Sequence, residues 1–169
     1  MSDDVPTEQT PPSSRRRMSA HGSRILVAED DDDLRSMLVA GLRQDGHDVI
    51  TARDGAELLE YVASSMLFRE TSPAPDLIIT DVRMPGFGGL SVLAGLRDEQ
   101  WHTPIILMTA FSDPQTRSEA CRLGASAFFS KPFDLDDLRT AVLNLISWQP
   151  GYDADRNSRD GVRGDRGTP

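Results

Sequence analysis

The sequence predicts a doubly wound α/β domain: a five-stranded parallel sheet with helices on both faces. Three observations predict it. Short apolar runs alternate strictly with amphipathic stretches, five of each. Helix start and stop signals fall between them, and four of the five strand ends offer a polar or charged residue. Parallel neighbours need crossover connections, so strict alternation of strand and helix gives a parallel sheet rather than hairpins.

The first apolar run, Ile25 to Ala28, reads as a strand that ends abruptly on five consecutive acids, Glu29 to Asp33. Leu34, Met37, Leu38, Gly41 and Leu42 then recur at helical spacing as a core-facing stripe, which Gly46 stops. Asp48 to Ala52 is the second strand, followed by a stripe of Leu58, Leu59 and Val62. Met66, Leu67 and Phe68, in the long segment Ser64 to Pro75, are expected to prolong that helix rather than form a docking spot. Leu77 to Thr80 is the third strand, and Leu90, Leu93 and Leu96 mark the third helix. Ile105 to Thr109 is the fourth strand. Ser112 or Asp113 caps the next helix, with Pro114 in its first turn and Gly124 at its end, around a weaker stripe of Ala120 and Leu123. Ala127 to Ser130 is the fifth strand, and Leu135, Leu138, Val142, Leu145 and Ile146 close the set.

Composition limits what surrounds this unit. At 169 residues, 38% hydrophobic and 27% charged, the chain suits one soluble domain with tails. Residues 1–23 and 149–169 are rich in Pro, Gly, Ser, Asp and Arg and nearly lack large aliphatics, so they read as a disordered N-terminal arm and C-terminal tail around a folded unit at 24–148. No apolar stretch approaches the roughly 20 residues of a membrane helix, and the first 20 residues hold no secretory signal. The single cysteine, Cys121, excludes an internal disulfide and agrees with a cytoplasmic protein. Between the tails, 11 basic residues face 20 acidic ones, a balance that repels phosphate backbones and argues against direct nucleic-acid binding. The Arg15-Arg16-Arg17 cluster reads as part of a solvated arm.

In such sheets the ligand site lies at the carboxyl ends of the strands, where the strand order reverses. Glu29 and Asp30 follow strand one, Asp81 follows strand three, Thr109 ends strand four and Lys131 follows strand five. If strands one and three are neighbours, as the flavodoxin-like order 2-1-3-4-5 requires, three carboxylates converge. Unneutralised, they would destabilise the fold; a hard divalent cation such as magnesium resolves the conflict with oxygen ligands. Asp31, Asp32 and Asp33 instead sit where a helix dipole favours negative charge. Lys131 is the only lysine beside seventeen arginines, which suggests that a compact ammonium is wanted at its position.

Four ordered blocks, "ILVAEDD", "DLIITDVRMPGFGGL", "IILMTA" and "GASAFFSKPF", resemble the receiver domains of two-component response regulators. The resemblance spans about Arg24 to Trp148. It implies a phosphorelay protein whose Asp81 accepts a phosphoryl group from a histidine kinase or phosphotransfer protein, with no enzyme activity beyond magnesium-dependent phosphorylation and dephosphorylation of itself. It further implies that Asp30 binds Mg2+ directly, Glu29 through water, and Arg83 through its backbone carbonyl. Lys131 would pair with the phosphoryl group, Thr109 would hydrogen-bond to it, and Phe128 would be the switch aromatic, acting by packing alone. Lys131-Pro132 would carry a cis peptide. Arg83 and Phe111 would tune phosphoryl lifetime. Gly88 stands where many members carry Asp, so the third helix should be less well capped.

The 21 residues after Trp148 cannot build an output domain, so the expected chain is a stand-alone receiver. Its downstream protein target would dock on the face of helix four, strand five and helix five, which is also the candidate homodimer face. Two other readings share the fold: a phosphorylation-independent docking module, and a fragment of a longer regulator or hybrid kinase. A docking module usually lacks an acid, Thr or Lys of the site, and none is missing here. A phosphatase of the haloacid dehalogenase type would need a second Asp two residues past the nucleophile, where this chain has Arg83.

Overall fold

A computed structural model of the chain describes residues 22–68, 72–111 and 113–147. Most of the expected arm at 1–23, the tail at 149–169, Ser112 and Trp148 fall outside the described residues. The element order is β1 (Arg24–Ala28), α1 (Asp32–Gln44), β2 (Asp48–Ala52), α2 (Gly55–Leu67), β3 (Leu77–Asp81), α3 (Gly89–Asp98), β4 (Ile105–Thr109), α4 (Pro114–Arg122), β5 (Ala127–Ser130) and α5 (Leu135–Ser147). All strand pairings are parallel, in the order β2-β1-β3-β4-β5. That is the doubly wound, flavodoxin-like (βα)5 arrangement.

Side-chain alternation along the strands splits the core in two. Leu26, Ile78, Ile105 and Leu107 point to one face and pack with Leu58, Val62, Leu93 and Leu96 from α2 and α3. Ile25, Val27, Ile79, Ile106 and Met108 point to the other and pack with Leu38 and Leu42 of α1 and Leu138 and Val142 of α5. Because β3 and β4 are buried on both faces, they read as unbroken apolar runs; β2, at an edge, buries only Val49 and Ala52.

The stripes expected on the helices face these layers with one exception. Met37 is 42% exposed, not part of the core. Leu38, Gly41 and Leu42 form the buried arc of α1, and the 100° step of a helix sets Met37 about 90° from its centre. The Met66–Phe68 segment does prolong α2, which ends at Leu67 with Phe68 as its C-cap.

Local chemistry explains the boundaries. Asp31, Asp54 and Asp113 are N-caps whose carboxylates accept backbone N–H groups of α1, α2 and α4. Gly88 caps α3 without a side-chain hydrogen bond, as its lack of a side chain dictates. Gly46 and Gly124 end α1 and α4 at φ of 87° and 79°. The β3–α3 connection is packed tightly against the rest of the domain: a Cβ on Gly55, the first residue of α2, would lie 1.9 Å from the Phe87 carbonyl oxygen.

Candidate functional site

Five parallel strands deliver their carboxyl ends to one edge of the sheet, and the register decides which residues meet there. Ala28 pairs with Thr80, so Glu29 and Asp81 emerge side by side. Asp81 pairs with Met108 and Thr109 with Ser130, which brings Thr109 and Lys131 alongside. Glu29, Asp81 and Thr109 are buried at 1%, 5% and 0% exposure, whereas Asp30 is exposed at the mouth.

Lys131 ties the group together. Its Nζ donates to Glu29 Oε2 at 2.7 Å and to Asp81 Oδ2, while its backbone N–H bonds the Thr109 carbonyl at 2.7 Å. The other Asp81 oxygen, Oδ1, accepts the Arg83 N–H at 2.8 Å. Glu29 Oε1 accepts the Asp31 N–H at 3.3 Å. Carboxylate oxygens of Glu29, Asp30 and Asp81 all lie within 4.8 Å of one another, an all-oxygen donor set of the kind a hard divalent cation takes. The Lys131–Pro132 peptide is cis.

Electrostatics follows from burial. Burial pushes the Glu29 carboxyl above its ordinary value; contacts with Lys131 oppose this, and the nearby Asp81 charge adds to it. Burial works to lower Lys131, but its hydrogen bonds to Asp81 and Glu29 outweigh this and keep the ammonium charged. The site therefore carries one fixed cation among three acids, with net negative charge left to accommodate a second.

Thr109 Oγ1 accepts the Phe111 N–H at 3.1 Å and donates to the Phe111 carbonyl at 3.3 Å, so the hydroxyl is held toward the β4–α4 loop. The Arg83 guanidinium stacks on the Phe111 ring at 4.2 Å, joining the loops after β3 and β4. Phe128 is half-buried against the α2–α3–α4 core, with the Arg117 guanidinium 5.6 Å from its ring. Sequence reasoning missed one contributor: Arg35 of α1 donates to the Glu29 carbonyl at 2.7 Å and to Asp32. Its spacing of three and six residues from those acids was the available signal.

The family model described as "Response regulator receiver domain" matches residues 25–143. The chain belongs to the response regulator receiver domain family. Its class of function is thus two-component phosphorelay signalling, as a phosphoryl-accepting module. The chain is 35% identical over 127 residues to regulatory protein AtoC of Escherichia coli K12, covering 75% of this chain and 26% of AtoC. It is 30% identical over 123 residues to sporulation initiation phosphotransferase F of Bacillus subtilis, covering 73% of this chain and 93% of that protein. Among solved structures, the receiver domain of the Francisella response regulator 1452 superposes with a TM-score of 0.64 at 28% identity, covering 75% of this chain and 98% of that one. The chain thus spans about a quarter of the length of AtoC, whose remaining part has no counterpart in the match. No helix among the described residues is long and apolar enough to cross a membrane.

Proposed function

We propose that this receiver domain is a phosphorylation switch whose acceptor is Asp81. An Asp81 carboxylate oxygen attacks phosphorus, the new O–P bond forms, and the bond to the donor breaks with its electron pair leaving on the donor. The donor is a phosphohistidine of a histidine kinase or phosphotransfer protein, or a small acyl phosphate. What carries the reading is the Lys131 ammonium bridging Asp81 and Glu29 beside an oxygen cluster that fits Mg2+. Glu29, Asp30, Asp81 and the Arg83 backbone carbonyl would hold the cation, which would supply charge neutralisation at the phosphoryl oxygens.

The remaining residues act on the product. Lys131 exchanges a carboxylate partner for the phosphoryl group, in a charge-assisted contact of the same kind. The Thr109 hydroxyl turns from Phe111 to a phosphoryl oxygen, and Phe128 repacks in the space behind it. Water reverses the modification by attack at phosphorus, returning the Asp81 carboxylate. The changed surface is the face of α4, β5 and α5, which meets a downstream protein target or a second copy of the chain; an acidic domain is unsuited to nucleic acid. The compartment that goes with this reading is the cytoplasm, where Cys121 stays a free thiol.

The test is intact mass after incubation with acetyl phosphate and MgCl2. One added phosphoryl group is expected in wild type and none in Asp81→Asn or in EDTA. A folded wild type that takes up nothing would leave a docking module that works without phosphorylation.

A further inference from the structure

The run Glu29–Asp33 places five like charges in succession, and a cation from within α1 holds it in shape. The Arg35 side chain is only 13% exposed. Its Nη1 donates to the Glu29 backbone carbonyl at 2.7 Å, its Nη2 donates to the Asp32 carboxylate, and its backbone N–H bonds the Asp31 carbonyl at 2.9 Å. The side chain therefore grips the turn at Glu29 and Asp32, on both sides of Asp30, while the main-chain bond to Asp31 is the first of the helix. Asp31 in turn bonds back to Glu29 Oε1 through its N–H and caps α1 by accepting from Leu34.

We propose that Arg35 is a positioning residue for the cation site: its guanidinium fork fixes the Glu29–Asp32 turn so that the Glu29 and Asp30 carboxylates meet Asp81. This rests on the reading of that cluster as the Mg2+ site. The fork matters because its donors are rigidly spaced, one for a main-chain carbonyl and one for a carboxylate; an ammonium on a flexible stem cannot reproduce that spacing. Groups that orient metal ligands from behind typically change affinity 10–100-fold when removed.

A bare counter-charge and a positioning fork give opposite signs. As a counter-charge alone, Arg35 repels an incoming divalent cation, and removing it tightens binding. As a fork, removing it frees the turn and weakens binding, and Lys, which keeps the charge, fails to rescue.

The experiment uses the full chain as wild type, Arg35→Gln and Arg35→Lys. Each is titrated with MgCl2 by calorimetry, and backbone amide exchange is measured in EDTA by NMR. Expected is a Mg2+ Kd raised about tenfold in Arg35→Gln, with most of that loss kept in Arg35→Lys. The Asp31 and Leu34 amides should exchange faster in both variants while those of β3 and β4 do not change. An unchanged or tighter Kd in Arg35→Gln, wild-type affinity in Arg35→Lys, or acceleration spread evenly over the sheet each overturns the role. Wild type that binds no Mg2+ sinks the cation site itself, whereas normal wild-type binding with an unaltered Arg35→Gln sinks only the part played by Arg35.

Discussion

Replacing Lys131 by Met removes the ammonium but keeps an apolar stem, so it isolates what the charge contributes to the metal-free protein. In the native structure the ammonium contacts Glu29, at 1% side-chain exposure, and Asp81, at 8%. At an effective dielectric near 20, a pair at the 2.7 Å of the Glu29 contact attracts by about 6 kcal/mol gross, most of it offset by desolvation. Deleting one partner of a buried pair costs about 3–5 kcal/mol, because the other charge stays buried and uncompensated. Lys131 is itself 18% exposed, so water can reach the gap and the expected loss lies near the lower end, about 3 kcal/mol in EDTA. If the cluster holds Mg2+ as proposed, the cation offsets the same carboxylate charge as the ammonium and should return more stability to Lys131→Met than to wild type. Binding at 100 times Kd adds about 2.7 kcal/mol. Acid should help as well. The Glu29 carboxyl is already raised from 4.5 by burial, so the folded state takes up its proton first, and stability gained from that uptake grows as pH falls from the folded value toward 4.5. Urea unfolding of both proteins, in EDTA and in MgCl2, measures these quantities. A loss under about 1 kcal/mol in EDTA, or a loss that Mg2+ leaves untouched, would refute the account of the site as a charge-compensated carboxylate cluster.

Gly55→Ala should destabilise by about 1–3 kcal/mol in thermal or urea unfolding, since its Cβ would meet the Phe87 carbonyl and force α2 away from the β3–α3 loop; wild-type stability would show that this loop yields freely. Asp54→Ala removes the acceptor for the Ala56 and Glu57 N–H groups and should cost about 1 kcal/mol, an effect that Asp54→Asn largely avoids. His47 has both ring nitrogens buried without a hydrogen-bond partner, and burial lowers its pKa below 6.5 against the pull of Asp45 and Asp76. Its neutral form therefore supports the fold fully above about pH 6.5, and that support is lost as pH falls through the lower folded value. His47→Leu should unfold with a smaller stability drop between pH 7.5 and pH 5.5 than wild type, and equal drops would contradict the burial argument.

Most of the sheet was legible because its strands are short apolar runs bounded by polar residues. Ile105–Thr109 and Ala127–Ser130 lie where the pattern put them. Arg24 extends β1 by one residue for a tertiary reason: its N–H bonds the Asp76 carboxylate and its guanidinium pairs with Asp48 of β2. Asp81 extends β3 because its partner, Met108, is already in β4. Met37 misled because five apolar or small residues fit a helical period loosely, while only a narrower arc faces the sheet.

The site divides along the same line. Sequence alone placed the polar and charged groups at four of the five strand ends, since Glu29, Asp30, Asp81, Thr109 and Lys131 stand immediately where apolar runs stop. It also separated the acid run into two features, because Asp31–Asp33 match the start of a helix and Glu29–Asp30 do not. Tertiary structure decided which of these groups touch. The lone lysine acquires its two carboxylate partners only when β5 and β1, residues 102 positions apart for the Lys131–Glu29 contact, end at one edge of the sheet. Likewise Arg83 meets Phe111, and Arg117 meets Phe128, across loops and faces that no local pattern relates. Periodicity and caps are set by neighbours a few residues away and survive in the linear text. Pairing of charges depends on strand order and register, which only the packed sheet fixes.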